Sequence, residues 1–279
     1  MNPYLKILRP FNGLMAIITL ILVGIIEKNI DLPLLIGILA VFLATGGGNV
    51  INDFYDYKID SINRQERPIP SGKISLRNAK NYGLSLFIIS IILGIIISVM
   101  VGSYLPCVLI VLNCLVLYYY ARNLKKLPLI GNVAVAYLTG SCFIFGGLIL
   151  GKIYVPLILS FFAFMMTLSR EIVKDMEDIK GDKLENLNTF PIKYGLKSSS
   201  ILASIFILIP TFISPVLYFT KIFNIYYLIL LLIAIIIFIV AAYKIQMNHN
   251  SDSSNKVSKL IKIGMFITFI AFAFGSIKI

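Results

Sequence analysis

The sequence predicts an all-α, polytopic membrane protein with nine transmembrane helices in one bundle. Three observations carry this. Hydrophobic residues make up 58% of the 279-residue chain against 14% charged ones, and the mean hydropathy is +0.91, far above that of a soluble domain. Nine apolar runs each approach the ~20 residues that a helix needs to cross the hydrocarbon. Lys and Arg concentrate on alternate connections between those runs, as the positive-inside rule requires. Open β-structure is excluded because its unpaired backbone groups would face lipid, and a barrel would show short alternating segments.

In chain order the runs are 12–28, 33–54, 80–101, 104–121, 129–150, 154–174, 200–220, 225–243 and 260–277. The first has the length of a signal-peptide core. Glu27-Lys28-Asn29 follows it instead of a small-residue cleavage site, so it reads as a retained helix. The second and sixth run into acidic stretches, one in each of two loose halves, 1–150 and 151–279, of a single transmembrane domain. With the N-terminus cytoplasmic, the inner segments are the N-terminal tail and the connections after helices 2, 4, 6 and 8. These hold 21 of the 25 Lys and Arg residues and leave Lys28, Lys152, Lys221 and Lys278 outside. The C-terminus is then external, in a multi-pass protein of the cell membrane. The formal charge of +12 is mostly this topology signal. No exposed aromatic-basic surface supports nucleic-acid binding. Cys107, Cys114 and Cys142 lie in apolar runs without metal-ligand spacing and read as small buried hydrophobes. His249 stands alone in a polar loop. The chain has no Trp, so an interfacial belt falls to residues such as Tyr4, Tyr104, Tyr154 and Tyr226.

The chemistry concentrates in two places. At 100° per residue Asn49, Asn52, Asp53, Asp56 and Asp60 fall within about 100° of one another on a helix. One Asp at mid-bilayer already costs roughly 2.5–3.5 kcal/mol on insertion scales, and several repel one another unless a cation neutralises them. The second cluster follows the sixth run. Glu171, Asp175, Asp178 and Asp182 occupy about 60° of one helix face, Glu177 points elsewhere, and Gly181 is expected to loosen or end the helix. Nine of the thirteen acidic residues lie in these two clusters or, for Glu66, shortly after the first, and both clusters end at the cytoplasmic surface. Ligands that are all oxygen favour a hard cation, and few protein ligands suit Mg²⁺ shared with a phosphate. Basic residues stand close in sequence. Arg64, Arg67 and Lys73 follow the first cluster, Arg122, Lys125 and Lys126 follow helix 4, and Arg170 and Lys174 accompany the second. Carboxylate–Mg²⁺ and Lys/Arg contacts together are the surroundings a diphosphate needs. A cation transporter is the competing class. The acids sit at one surface, however, and seven of the helices carry hardly any ionisable residue at mid-membrane, so no path crosses the bilayer.

These residues resemble the UbiA superfamily of intramembrane prenyltransferases over nearly the whole chain. The first family motif matches Asn52-Asp53-x-x-Asp56-x-x-x-Asp60, followed by Arg67-Pro68-Ile69-Pro70-Ser71-Gly72. The second matches Asp175-x-x-Asp178-x-x-x-Asp182, with Thr189-Phe190-Pro191 and Tyr194-Gly195 downstream. Within the superfamily, Leu8–Met15, Gly131–Gly140 and Ser169–Asp175 are most similar to the branch that prenylates a glyceryl phosphate in archaeal ether-lipid synthesis. Relatives that prenylate an aromatic acceptor of the hydroxybenzoate or naphthoate type share much of the scaffold.

The resemblance implies a prenyl diphosphate donor, geranylgeranyl diphosphate, and a lipid-like phosphate acceptor whose free hydroxyl is the nucleophile. It implies Mg²⁺ held by Asn52, Asp53, Asp56, Asp60, Asp175, Asp178 and Asp182, with Asp56 and Asp178 as the catalytic carboxylates. Asn49, Arg67, Lys125, Lys126 and Lys174 are expected to bind the diphosphate, and Arg9 and Arg122 to meet the acceptor's phosphate, with Lys125 and Lys126 as further candidates there. Tyr118 and Tyr137, with Tyr119 and Tyr120 beside the former, are candidates for a π-rich wall facing the allylic cation. Gly46-Gly47-Gly48 gives either helices or substrate room to approach.

Overall fold

The computed structural model describes residues 2–184 and 187–277. Among them every regular element is helical: α1 (Pro3–Ile7), α2 (Pro10–Glu27), α3 (Leu32–Tyr55), α4 (Tyr57–Asn63), α5 (Leu76–Val101), α6 (Leu105–Arg122), α7 (Ile130–Ile149), α8 (Tyr154–Leu184), α9 (Phe190–Tyr194), α10 (Leu196–Ile213), α11 (Val216–Phe219), α12 (Ile225–Met247) and α13 (Ser251–Gly275), with one 3₁₀ turn at Leu124–Lys126. Nine segments among the described residues are long and apolar enough to span a membrane, α10 and α11 counting as one. Their ends follow local chemistry. Pro occupies the first turn of α2, α3 and α6, where its missing N–H is no loss. Asp31, Ser75, Asn224 and Asn250 cap α3, α5, α12 and α13 with side-chain oxygens.

The chain divides into two compact units, Met1–Lys125 with Ser141–Leu157, and Lys126–Gly140 with Ile158–Ile279. The division is not one cut near residue 150, because α7 and α8 each contribute to both units. In the first unit α3 is the central helix, packed on α2, α5 and α6. Its core includes Leu20, Leu34, Val41, Ile51, Phe87, Ile110, Phe145 and Ile149. The glycine triplet serves this packing. A Cβ at Gly46, Gly47 or Gly48 would meet Leu8, Phe87 or Leu117 at 3.0, 2.9 and 2.7 Å, so the triplet admits neighbouring side chains of the same unit. In the second unit Met166, Leu168, Ile172 and Met176 of α8 pack with Ala203 and Ile207 of α10, Phe238 of α12 and Ile261 of α13. Outward faces stay apolar: Ile88, Ile92, Ile95 and Val99 of α5 and Ile236 of α12 are exposed, as a lipid-facing surface requires and a water-facing one would not tolerate.

Three boundaries differ from expectation. The sixth span does not stop near 174 or at Gly181 but runs to Leu184 as a 31-residue helix. At 1.5 Å per residue its length, about 46 Å, exceeds the ~30 Å hydrocarbon, so its polar end continues as helix outside the apolar layer. The ninth begins at Ser251, capped by Asn250, some nine residues before the apolar run. The helix carrying the first acidic stretch bends: α3 ends at Tyr55, Asp56 has φ −84° and ψ 0°, and α4 starts at Tyr57.

Candidate active site

The first acidic stretch survives its bend as a convergent cluster because the backbone bonds either side of it hold. The Asp56 N–H donates to Asn52 O at 2.9 Å, and the Asp60 N–H to Asp56 O at 2.8 Å. Asp53 and Asp60 are both almost fully buried, and both are met by Arg67, whose Nη1 lies 3.2 Å from Asp53 Oδ1 and 2.5 Å from Asp60 Oδ2. Arg67 is aimed by its turn. Ser71 N–H bonds Arg67 O at 3.0 Å and Ile74 N–H bonds Pro68 O at 3.1 Å, while Gly72 takes a positive φ of 73° that suits glycine. Ile69 and Ile74 pin the turn into a small core with Ile7, Leu8 and Val50.

Asp53 has a second partner, Arg9. Arg9 sits in the left-handed region with φ 50° just before Pro10, a conformation that a side chain with a Cβ resists by roughly 1–2 kcal/mol. Asn49 holds that segment, its Nδ2 donating to Leu8 O at 2.8 Å. Lys125 completes the cluster by donating to Asp56 Oδ1 and, at 3.0 Å, to Asn52 Oδ1, while Asn52 Nδ2 donates to Asp56 Oδ2 at 2.9 Å. The structure thus gathers Asn49, Asn52, Asp53, Asp56, Asp60, Arg9, Arg67 and Lys125 in one unit. Arg9, expected at the acceptor's phosphate, is in this structure a counter-ion of the motif. Arg122 and Lys126 are exposed near the end of α6 and outside these contacts. Tyr118 bonds Tyr55 hydroxyl to hydroxyl at 2.9 Å, and Tyr119 packs edge-on to Tyr118.

The second stretch lies on the uninterrupted α8, which keeps Glu171, Asp175, Asp178 and Asp182 on one face as their spacing requires. Asp175 accepts from Asn132 Nδ2 of α7 at 2.8 Å. Arg170 pairs with Glu171 at 2.7 Å. Glu177 is not simply solvated: Asn255 Nδ2 donates to its carboxylate and Ser251 Oγ to its carbonyl at 2.6 Å. Lys174 is exposed. The Tyr137 hydroxyl is buried without a hydrogen-bond partner among the described residues, where a buried phenol ordinarily finds one.

Two contributors were missed in the sequence. Asn132 is a lone amide in an apolar run, a signal that was available. The Asn255, Ser258, Lys259 and Lys262 stripe has helical spacing, but its first three members fell before the expected start of the ninth helix at 260. A 360 Å³ pocket in the second unit is lined by this stripe together with Arg170, Lys174, Glu177 and Asp178.

No group of three or more carboxylate, His or Cys side chains forms a closed metal cage among the described residues. The donors are carboxylate and amide oxygens, each motif offering a few. That fits Mg²⁺, which takes one or two carboxylates and completes its shell with phosphate oxygens and water.

A helical fold with nine candidate spans among the described residues and an Asp motif beside basic side chains in each unit defines a class: polytopic membrane proteins built to handle a phosphorylated substrate. The chain belongs to the UbiA prenyltransferase family, whose profile matches residues 14–270. It is 51% identical to the digeranylgeranylglyceryl phosphate synthase of Methanobrevibacter smithii, over 100% of this chain and 99% of that one. A solved structure concerned with digeranylgeranylglyceryl phosphate synthase in membranes is 40% identical and superposes with a TM-score of 0.88, covering 99% of this chain and 98% of its own. A UbiA homologue from Archaeoglobus fulgidus bound to GPP and Mg²⁺, 19% identical, has a TM-score of 0.68 over 99% of this chain and 100% of that one, a likeness of fold.

Proposed function

We propose that this prenyltransferase moves the geranylgeranyl group of geranylgeranyl diphosphate onto the free hydroxyl of geranylgeranylglyceryl phosphate, with Mg²⁺ as cofactor, as a step of archaeal ether-lipid synthesis. The observation that carries the reading is the 51% identity, end to end, with a relative that bears the name of this synthase. The donor set of the two motifs and the GPP- and Mg²⁺-bound state of the Archaeoglobus fulgidus homologue support the donor class and the metal.

Breaking the allylic C–O bond places developing negative charge on the departing diphosphate, and the electrostatic task is to meet it. Asn52, Asp53, Asp56 and Asp60 from one motif, and Asp175, Asp178 and Asp182 from the other, are the residues that would hold Mg²⁺. When bound, the metal supplies Lewis-acid neutralisation of the diphosphate. The chain's own cations do the rest. Arg67 and Lys125 lie against the carboxylates of the first motif and are the cations expected to meet phosphate oxygens there. Lys126 and Lys174 add charge. Tyr118 and Tyr137 offer π faces to an allylic cation. The acceptor hydroxyl forms the new C–O bond and loses its proton to a carboxylate or to the departing diphosphate. The tail-side segment and the connections after the second, fourth, sixth and eighth spans are assigned to the cytoplasm, and the C-terminus to the outside, on their Lys and Arg content.

The test offers purified protein geranylgeranyl diphosphate with geranylgeranylglyceryl phosphate and, in parallel, hydroxybenzoate and naphthoate acids. Product from the glyceryl phosphate alone is expected. Product from an aromatic acid alone overturns the assignment.

A further inference from the structure

We infer that the pocket between α8 and α13 is a seat for a lipid phosphomonoester, the phosphate of the acceptor, beside the proposed metal ligand Asp178, and that Lys259 and Lys262 are its specificity-determining residues. The inference deepens the proposed function and rests on it. On α13, Asn255, Ser258, Lys259 and Lys262 have offsets of three, four and seven, so they share one face. On α8, Arg170, Lys174, Glu177 and Asp178 do the same. The two faces line one 360 Å³ pocket, within the range of small-ligand sites.

Its charge fits the ligand. Four cations and two carboxylates line the pocket, Arg170 is already met by Glu171, and the three lysines are the positive charge left to face a phosphomonoester, which carries about −1.5 to −2 at neutral pH. Glu177 is already bonded by Asn255. Lys174, Lys259 and Lys262 make no salt bridge among the described residues. Ammonium groups gathered at one cavity repel one another, and an anion between them removes that cost. Lysines serving topology alone need only be on the right side of the membrane, whereas these are in helical register with the cations of α8. The nearly buried Ser258 adds a hydroxyl to the wall. Only Asp178 of the second motif's three aspartates borders the pocket, so its cationic wall lies beside the proposed metal ligands and is not their shell. Past Lys262, α13 continues with exposed Ile263 and Phe266, an apolar track for the chain of an amphiphile. A headgroup of a bulk anionic lipid has the same chemistry, and the test separates the two sources.

The full-length protein in lipid nanodiscs is compared with Lys259→Gln/Lys262→Gln, Lys259→Arg/Lys262→Arg and a control, Lys256→Gln, which lies outside this pocket. Two quantities are measured with geranylgeranyl diphosphate and Mg²⁺: kcat/KM for geranylgeranylglyceryl phosphate and for its dephosphorylated alcohol. Direct binding of the phosphorylated acceptor is measured without donor. The Gln pair is expected to lower the phosphorylated-to-alcohol ratio by roughly tenfold or more, as loss of charge-assisted hydrogen bonds requires, and to weaken binding in parallel. The Arg pair and Lys256→Gln should keep the ratio. An unchanged ratio and unchanged binding in the Gln pair, while the parent protein turns over the phosphorylated acceptor, overturns the pocket assignment and leaves the proposed function standing. A loss that appears only when the discs contain phosphatidylglycerol makes the pocket a bulk-lipid site and also overturns it. Failure of the parent protein to use the phosphorylated acceptor removes the function and this inference together.

Discussion

Arg67 holds two buried carboxylates at once, and removing it isolates one of them. Asp53 retains Arg9, but Asp60, 4% exposed, has no second ion-pair partner among the described residues. Removing one member of a buried pair typically costs 3–5 kcal/mol because the other charge stays behind uncompensated. With Arg9 still covering Asp53, Arg67→Met should cost about 3 kcal/mol, near the low end of that range. Asp60→Asn leaves Arg67 paired with Asp53 and should cost roughly 1–2 kcal/mol. In the double variant no stranded carboxylate remains at position 60, so its cost should fall short of the sum by about 1–2 kcal/mol. The assay is equilibrium unfolding in mixed micelles followed by far-ultraviolet circular dichroism, since the chain has no Trp to report by fluorescence. It is run without substrate, so that any role of Arg67 in diphosphate binding does not enter. Additivity within about 0.5 kcal/mol would refute the reasoning that Arg67 stabilises this site by neutralising Asp60.

Other outcomes follow from the same structure. Asp56→Ala and Asp178→Ala should each abolish Mg²⁺-dependent transfer while the variants still elute as folded protein in size-exclusion chromatography; near-normal turnover contradicts the metal assignment. Gly47→Val should lower stability by roughly 1–3 kcal/mol, an overpacking cost, because even its first carbon would sit 2.9 Å from the Phe87 ring and 3.1 Å from the Gly83 carbonyl oxygen; an unchanged melting temperature shows that α3 and α5 are not so close. On a cysteine-free background, Lys28→Cys and Lys221→Cys should react with an impermeant maleimide on intact cells and Lys73→Cys only after lysis, and the reverse pattern inverts the proposed topology.

The spans were legible in the sequence because a membrane helix needs only length and apolarity, and the acidic motifs because carboxylates are rare in such a chain. What the sequence left dark is mostly long-range. Arg9 and Lys125 lie 44 and 69 residues from the aspartates they neutralise, and no local pattern announces such pairs. The bend at Asp56 escaped a helical-wheel reading, yet Asp53 and Asp60 still converge because the backbone bonds either side of it hold, and Arg67 binds both. Hydropathy truncated α8 and α13, since polar residues in a helix projecting beyond the hydrocarbon look like loop. Helical spacing at Asp175–Asp178–Asp182 and an Asn250 cap were the better guides there. The glycine triplet admitted packing or a substrate groove on sequence grounds, and Leu8, Phe87 and Leu117 decide for packing.

The central claim is that this chain uses Mg²⁺ to prenylate a glyceryl phosphate. It is tested most directly by purified, chelator-treated protein given geranylgeranyl diphosphate and an equimolar mixture of geranylgeranylglyceryl phosphate, hydroxybenzoate and a naphthoate, with products resolved by mass spectrometry. The account predicts no product until Mg²⁺ is restored and then digeranylgeranylglyceryl phosphate with equivalent release of diphosphate. A prenylated aromatic acid as the sole product, or transfer that proceeds equally in the chelator, would contradict it.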